Sequence, residues 1–284
     1  MRHAPDGTSP SDCPTPTRTG TGYSVPWTQT ARPADSLRPA PLHWHRWPGG
    51  GEAMGSGHPK APFWYALTDH HRTELLRIGK RQDFAPEEVI VRERDPTAFA
   101  VVLLDGCVKV STVGVRGYQA ILGIRNAGDL VGEQAGVDGG RRSATLSALT
   151  RVEALILPAE QFRVFLRSHP NAAEILHRTV SGRLREADRY RAAVGSRTPE
   201  QRLADLLVHL GRRYGSRADD GVLIELPLSQ EDFAGLVLTS QRTLGRVLEQ
   251  WRTRGLVVTG RRSMLVRSLT GLRELAGAES DGEV

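Results

Sequence analysis

Two stretches of the chain carry residue types that could do chemistry. The first runs Gly128-Asp-Leu-Val-Gly-Glu-Gln-Ala-Gly-Val-Asp-Gly-Gly-Arg-Arg-Ser-Ala-Thr145. Gly128, Gly132, Gly136, Gly139 and Gly140 permit tight turns that expose backbone N–H groups, an arrangement suited to an anion. Arg142 can pair with a phosphate through two parallel hydrogen bonds, and Ser143 can add a hydroxyl donor. Glu133 would repel a phosphate, so its natural work is to accept from a ribose 2′-hydroxyl. Taken alone, such a loop is more often a simple turn.

The second stretch runs from Leu228 to Leu248. Ser229 with Asp232 makes a capping box that opens one helix, and Ser240 caps another after a break near Leu238-Thr239. Apolar Phe233, Leu236 and Val237 face Leu244, Val247 and Leu248, which leaves Gln241, Arg242 and Arg246 on the outer face. Two short helices, the second polar and basic, read as a helix-turn-helix, with Ser240, Gln241, Arg242, Thr243 and Arg246 toward DNA. A hairpin follows, Leu256–Thr259 and Met264–Arg267, whose turn would set Arg261 and Arg262 against a phosphate backbone as a wing. An ordinary helical hairpin matches the same spacing. The charge favours DNA, because Ser240–Arg267 holds seven arginines against Glu249 alone. Arg252 and Arg254 are further phosphate candidates.

These residues need elements to hold them. Around eight short apolar runs, Arg81–Phe84, Glu88–Val91, Phe99–Leu104, Cys107–Val110, Gln119–Ile124, Asp129–Val131, Ser143–Ala148 and Val152–Leu157, predict an all-β sandwich or barrel. Asp105-Gly106 reads as a hairpin turn. A short helical pattern, Leu67–Gly79, precedes them. After Pro158 the period becomes helical, with a short helix at Glu160–Arg167 and a long one at Pro170–Val194. Ala173, Leu176, Val180, Leu184, Ala187 and Val194 form a narrow stripe on the long helix, either the seam of a coiled-coil pair or a face packed on its own domain. Thr198-Pro-Glu-Gln201 starts another helix, running to about Tyr214, and Val222–Leu226 reads as a strand.

Composition bounds the rest. The chain has 284 residues, 25% of them charged, and a net charge of +6. Of its 38 basic residues, 35 are Arg, a bias with the look of a GC-rich genome rather than of function. Ten of 17 prolines fall in residues 1–60, which read as a disordered Pro/Gly-rich extension. Met54, just before the first helical pattern, is an alternative start. His43 and His45, two residues apart, carry little weight as metal ligands. Two cysteines, Cys13 and Cys107, make neither a disulfide scaffold nor a four-cysteine metal site. No apolar run reaches the roughly 18 residues of a membrane span, and no signal peptide is evident, so the expected location is the cytoplasm. No hydrolase, P-loop, zinc-protease or dinucleotide motif occurs, so an enzyme is the less favoured class.

Gly-Asp-Leu-Val-Gly-Glu followed by Arg-Ser-Ala-Thr, then a long helix, then a winged helix-turn-helix, resembles the catabolite-activator (Crp/Fnr) family of bacterial transcription regulators from about Phe63 to Leu269. The resemblance implies an α+β fold: a jelly-roll-like cyclic-nucleotide-binding β-roll at 61–168, a dimerisation helix at 169–195, a winged helix-turn-helix at 196–270 and a C-terminal tail at 271–284. It implies a phosphate-binding cassette at Gly132, Glu133, Arg142 and Ser143, with cyclic AMP or cyclic GMP as effector and no required cofactor, and base reading by Gln241, Arg242 and Arg246. It further implies a homodimer on palindromic double-stranded DNA, with RNA polymerase as a further partner and no membrane. Ala187-Asp188 stands where the best-known cyclic AMP receptor contacts adenine through Thr-Ser. The loop from Glu133 to Arg142 is one residue shorter, and the reading helix opens Gln-Arg rather than Arg-Glu, so the operator is expected to differ. Leu238 occupies a turn position often held by Gly. An oxygen-sensing cysteine cluster is not matched by Cys13, and His70, His71 and Cys107 read as surface or core residues rather than haem ligands. Two readings stay open: a ligand-gated regulator, or a constitutive one with a vestigial pocket.

Overall fold

The computed structural model describes residues 61–114, 117–260 and 262–277. The expected 1–60 extension, with Cys13, His43, His45 and Met54, lies outside the described residues, as does Arg261. Helices α1 (Phe63–Ala66) and α2 (Asp69–Ile78) lead into eight strands: β1 (Lys80–Phe84), β2 (Val89–Val91), β3 (Phe99–Asp105), β4 (Cys107–Val113), β5 (Gln119–Asn126), β6 (Leu130–Val131), β7 (Thr145–Ala148) and β8 (Val152–Pro158). They make two antiparallel four-stranded sheets, ordered β1-β8-β3-β6 and β2-β7-β4-β5.

Strand β3 shows why its sequence is apolar without alternation. Val101 and Leu103 fill the space between the sheets with Phe84, Val108 and Leu146. Ala100 and Val102 point the other way, into a second core with Phe63, Leu75, Phe162, Phe165 and Leu176. Both faces are covered, so both positions of the pleat are apolar.

The hairpin expected at Asp105-Gly106 does not form. Strand β3 pairs with β8 and β6, whereas β4 pairs with β5 and β7 in the other sheet. Gly106, at φ 86°, instead carries the chain across the roll, and a Cβ there would lie 2.2 Å from the carbonyl oxygen of Arg151. Asp-Gly supplied the left-handed turn it encodes, but the strands it joins found partners elsewhere.

Helix α3 (Glu133–Asp138) occupies the Gly-rich stretch read as turns, bracketed by left-handed Gly132 and Gly139. Beyond the roll, α4 (Ala159–Ser168) packs on it and α5 (Pro170–Ser196) runs out from it. The long helix divides the two readings of its stripe. Leu176 is buried against its own roll and Val180 is packed there too, while Leu184 is 62% exposed and Ala187 is also exposed.

The last part comprises α6 (Pro199–Tyr214), β9 (Gly215–Ala218), β10 (Gly221–Ile224), α7 (Gln230–Leu236), α8 (Gln241–Thr253), β11 (Val257–Gly260), β12 (Ser263–Val266) and α9 (Leu269–Leu275). Thr198 and Gln201 close the expected capping box on α6. Leu203, Leu207, Phe233, Leu244, Leu248, Trp251 and Val266 form its core, which also takes in Cys107, Ile121 and Leu149 of the roll. The fully buried Trp251 donates its indole N–H to Glu200 at 2.8 Å, tying α8 to α6. The tail expected from 271 instead contributes most of α9, because Leu272 is fully buried and α9 packs on α6. Among the described residues, no helix is long and apolar enough to cross a membrane.

Candidate nucleic-acid interface and effector cassette

Helices α7 and α8 begin where their caps dictate. Asp232 accepts from the backbone of Ser229 at 2.8 Å, and Ser240 Oγ accepts from Thr243 N at 3.1 Å. Leu238 takes the glycine-like turn position at φ 47° without a glycine. What holds it is Arg202 of α6, nearly buried, whose guanidinium donates to the carbonyls of Val237 (2.9 Å), Leu238 (3.3 Å) and Arg197 (2.6 Å). Tyr190 of α5 donates to the carbonyl of Leu236. These two residues hold the carbonyls at the end of α7 and in the turn after it, and were not singled out from the sequence. Their signal is weak, since a polar side chain in a helical pattern is ordinarily solvated.

Gln241, Arg242 and Arg246 are exposed on one side of α8, while Leu244 and Leu248 are buried on the other. Among the described residues, Arg242 and Arg246 have no hydrogen-bond or ion-pair partner. Ser240 and Thr243 are partly engaged with each other, their hydroxyls 2.9 Å apart. Arg252 is less available than its sequence suggested: it pairs with Glu249 and donates to Thr259 at 3.1 Å. Gly260 and Ser263 pair across the wing, so its turn has two residues, and Arg262 sits there at φ 59°. Such turns favour Asn-Gly, so arginine there trades backbone ease for charge.

In the roll, the structure brings three of the four cassette residues together. Arg142 is 3% exposed, and its Nη1 donates to the carbonyls of Phe99 (2.8 Å) and Gly132 (2.9 Å). Its Nε donates to Thr97 Oγ1 at 3.1 Å, and the guanidinium lies 4.2 Å from the centre of the Phe99 ring. Nη2 is buried with no hydrogen-bond partner. Burial pushes the Arg142 pKa down, opposed by the carboxylates of Asp95 and Glu133. Glu133 accepts from Arg183 of α5 at 2.8 Å, and Arg183 also donates to the carbonyl of Leu130 at 2.6 Å. Arg183 was not anticipated, since fifty residues of sequence separate it from Glu133. Ser143, the fourth cassette residue, is exposed. Among the described residues, no group of three or more His, Cys, Asp or Glu could hold a metal ion.

Comparison with known proteins matches both halves. Residues 81–169 match the model of the cyclic nucleotide-binding domain, and residues 201–275 that of the Crp-like helix-turn-helix domain. The chain is 26% identical to the CRP-like cAMP-activated global transcriptional regulator of Mycobacterium tuberculosis, over 65% of this chain and 82% of that protein. It is 22% identical to the fumarate and nitrate reduction regulatory protein of Escherichia coli, over 75% and 85%. In fold it is similar to the c-di-GMP-responsive regulator CLP of Xanthomonas campestris (TM-score 0.64, 20% identity, 71% and 100% covered). FixK2 of Bradyrhizobium japonicum gives a TM-score of 0.60 at 20% identity, over 72% and 100%. With a cyclic nucleotide-binding domain and a Crp-like helix-turn-helix domain matched in this order, and transcriptional regulators matched across both, the chain belongs to the Crp/Fnr family of transcriptional regulators.

Proposed function

We propose that this regulator binds a palindromic double-stranded operator as a homodimer, and that a cyclic-nucleotide-class effector in the roll controls its affinity. The observation that carries the gating is the buried Nη2 of Arg142, a charged donor with no partner. Buried donors are ordinarily satisfied, so an unmatched one beside Gly132 and Glu133 is a place for an anion's oxygen. Arg142 and Ser143 would hold the phosphate, and Glu133 a ribose hydroxyl. Glu133 already shares an oxygen with Arg183 on α5, so a ligand competing for that carboxylate alters the hold on the long helix. An effector that favours one packing of two such helices shifts the population toward it. That packing would set two α8 helices about 34 Å apart, one DNA turn. Arg242 and Arg246 would read bases, while Arg254, Arg261 and Arg262 would grip phosphates. The exposed Leu184 supports the second helix as partner.

One observation favours the constitutive reading. Arg142 already satisfies two carbonyls and covers Phe99, filling part of its own pocket. Selection of genomic fragments by the purified protein, with and without cyclic AMP or cyclic GMP, separates the two. A palindrome enriched only with nucleotide, and lost in Arg142→Gln, supports gating. The same palindrome without nucleotide, unaffected by Arg142→Gln, supports the constitutive regulator. No enriched motif in any condition would count against the operator reading.

A further inference from the structure

Several contacts tie the reader to its own roll. Lys109 of β4 pairs with Asp232 of α7, Nζ to Oδ1 at 2.6 Å, and the Asp232 side chain is only 6% exposed. The other oxygen of Asp232 closes the α7 capping box. Tyr118, ahead of β5, reaches the carbonyls of Ala234 and Thr239 at 3.5 Å. Gly235 approaches β5 so closely that a Cβ there would lie 2.8 Å from the carbonyl oxygen of Gln119. Gln241 and Ser240, at the start of the reading helix, border a cavity of about 210 Å³ that Tyr118 and Gln119 also line. On the wing, Arg262 donates to Glu87 of the roll at 2.7 Å.

The wing contact has an unusual backbone. Glu87 (φ 71°) and Arg262 (φ 59°) are both non-glycine residues in the left-handed region, and they meet although 175 positions apart. Such conformations persist where the surroundings over-determine them, and they cluster at clamps and switches. An arginine held by a carboxylate is also not available to a phosphate.

We propose that these contacts form an autoinhibitory latch: Lys109 and Glu87 hold the reader on the roll, and DNA must displace Glu87 from Arg262 to engage the wing. The latch deepens the DNA-binding reading and rests on it. Fluorescence anisotropy of the full chain, without nucleotide, on a labelled random-sequence duplex of about 30 base pairs in about 50 mM salt, tests both. Loss of the positive charge in Lys109→Gln would by general electrostatics weaken binding; release of the latch makes it about three- to tenfold tighter. Lys109→Arg, which keeps the pair, retains wild-type affinity. Glu87→Gln tightens binding about two- to fivefold in the wild type and leaves it unchanged in an Arg262→Gln background. Unchanged or weaker binding by Lys109→Gln, or an equal gain from Glu87→Gln in both backgrounds, overturns the latch. If Arg262→Gln and Arg246→Gln both leave affinity unchanged, the DNA interface itself is misassigned and the latch falls with it.

Discussion

At the scale of single residues, two buried polar side chains show how position decides role. Arg202 is in effect a cap for α7 and the turn after it, supplied from another helix. Its removal by Arg202→Met would strand three carbonyls, each costing about 1–3 kcal/mol if left dry. We expect the variant to lose on the order of 3 kcal/mol in urea unfolding and to bind DNA less tightly; a loss below about 0.5 kcal/mol would show water replacing the guanidinium. His71, at the junction of α2 and α4, packs edge-on to Phe165 and to His169, with ring centres 6.0 and 5.0 Å away. Burial first, then the charges of His169 and His70, hold its pKa below the usual 6.5, against the pull of Glu74. The folded chain therefore binds this proton more weakly than the unfolded chain. The stability tied to a neutral His71 is complete above about pH 6.5 and is lost as pH falls through the lower, folded value. Urea midpoints at about pH 7.5 and 5.5 should differ in that direction, and His71→Leu should shrink the difference. An undiminished difference would remove His71 as its source. At this scale the sequence was most readable where a side chain faces out: Gln241, Arg242 and Arg246 followed from helical spacing alone. Arg183 and Arg202 did not, because their partners lie on other elements that only the fold assembles.

At the scale of elements, α5 is the part with an unfinished surface. Its first half is covered by its own roll, and its second half presents Leu184 to solvent. A second copy of the helix would cover that face with the same residues. Leu184→Asp should therefore sediment as a monomer at micromolar concentration, with unchanged circular dichroism and DNA affinity reduced at least about a hundredfold. A dimer that survives the substitution would place the seam elsewhere. The strands were legible from apolar runs bounded by turn residues, and all eight in the roll appear within a few residues of their expected bounds. Connectivity was not, as the unformed β3–β4 hairpin shows, since pairing depends on strands far along the chain. Helix α3 hid behind its glycines. Gly136 is there for close approach rather than for a turn, as a Cβ would lie 3.3 Å from that of Ala100. In the same way α9 was missed because a short helix shows its buried face, here Leu272, only against its neighbour.

At the scale of the whole molecule, charge and packing pull on the reader from opposite sides. Arg254, Arg261 and Arg262 would give a dimer about six phosphate contacts. Counterion release then predicts a loss of affinity of about a thousandfold between about 50 and 200 mM salt. A nearly flat dependence, measured by titration of a fixed duplex, would contradict this use of the arginines. Packing acts through a core that does not stop at the domain boundary, because Cys107 of β4 lies among the reader's apolar residues. Burial there pushes the Cys107 thiol up to about 12. A reagent that needs a thiolate reacts with it only when that packing opens, and separation of reader and roll is one such opening. With Cys13 replaced by Ser, the alkylation rate of Cys107 becomes a clock for that opening. We expect it to run at least about a hundredfold slower than in the urea-unfolded chain. Any ligand, duplex or substitution that frees the reader should make the clock run faster, so one sulfur atom registers the release.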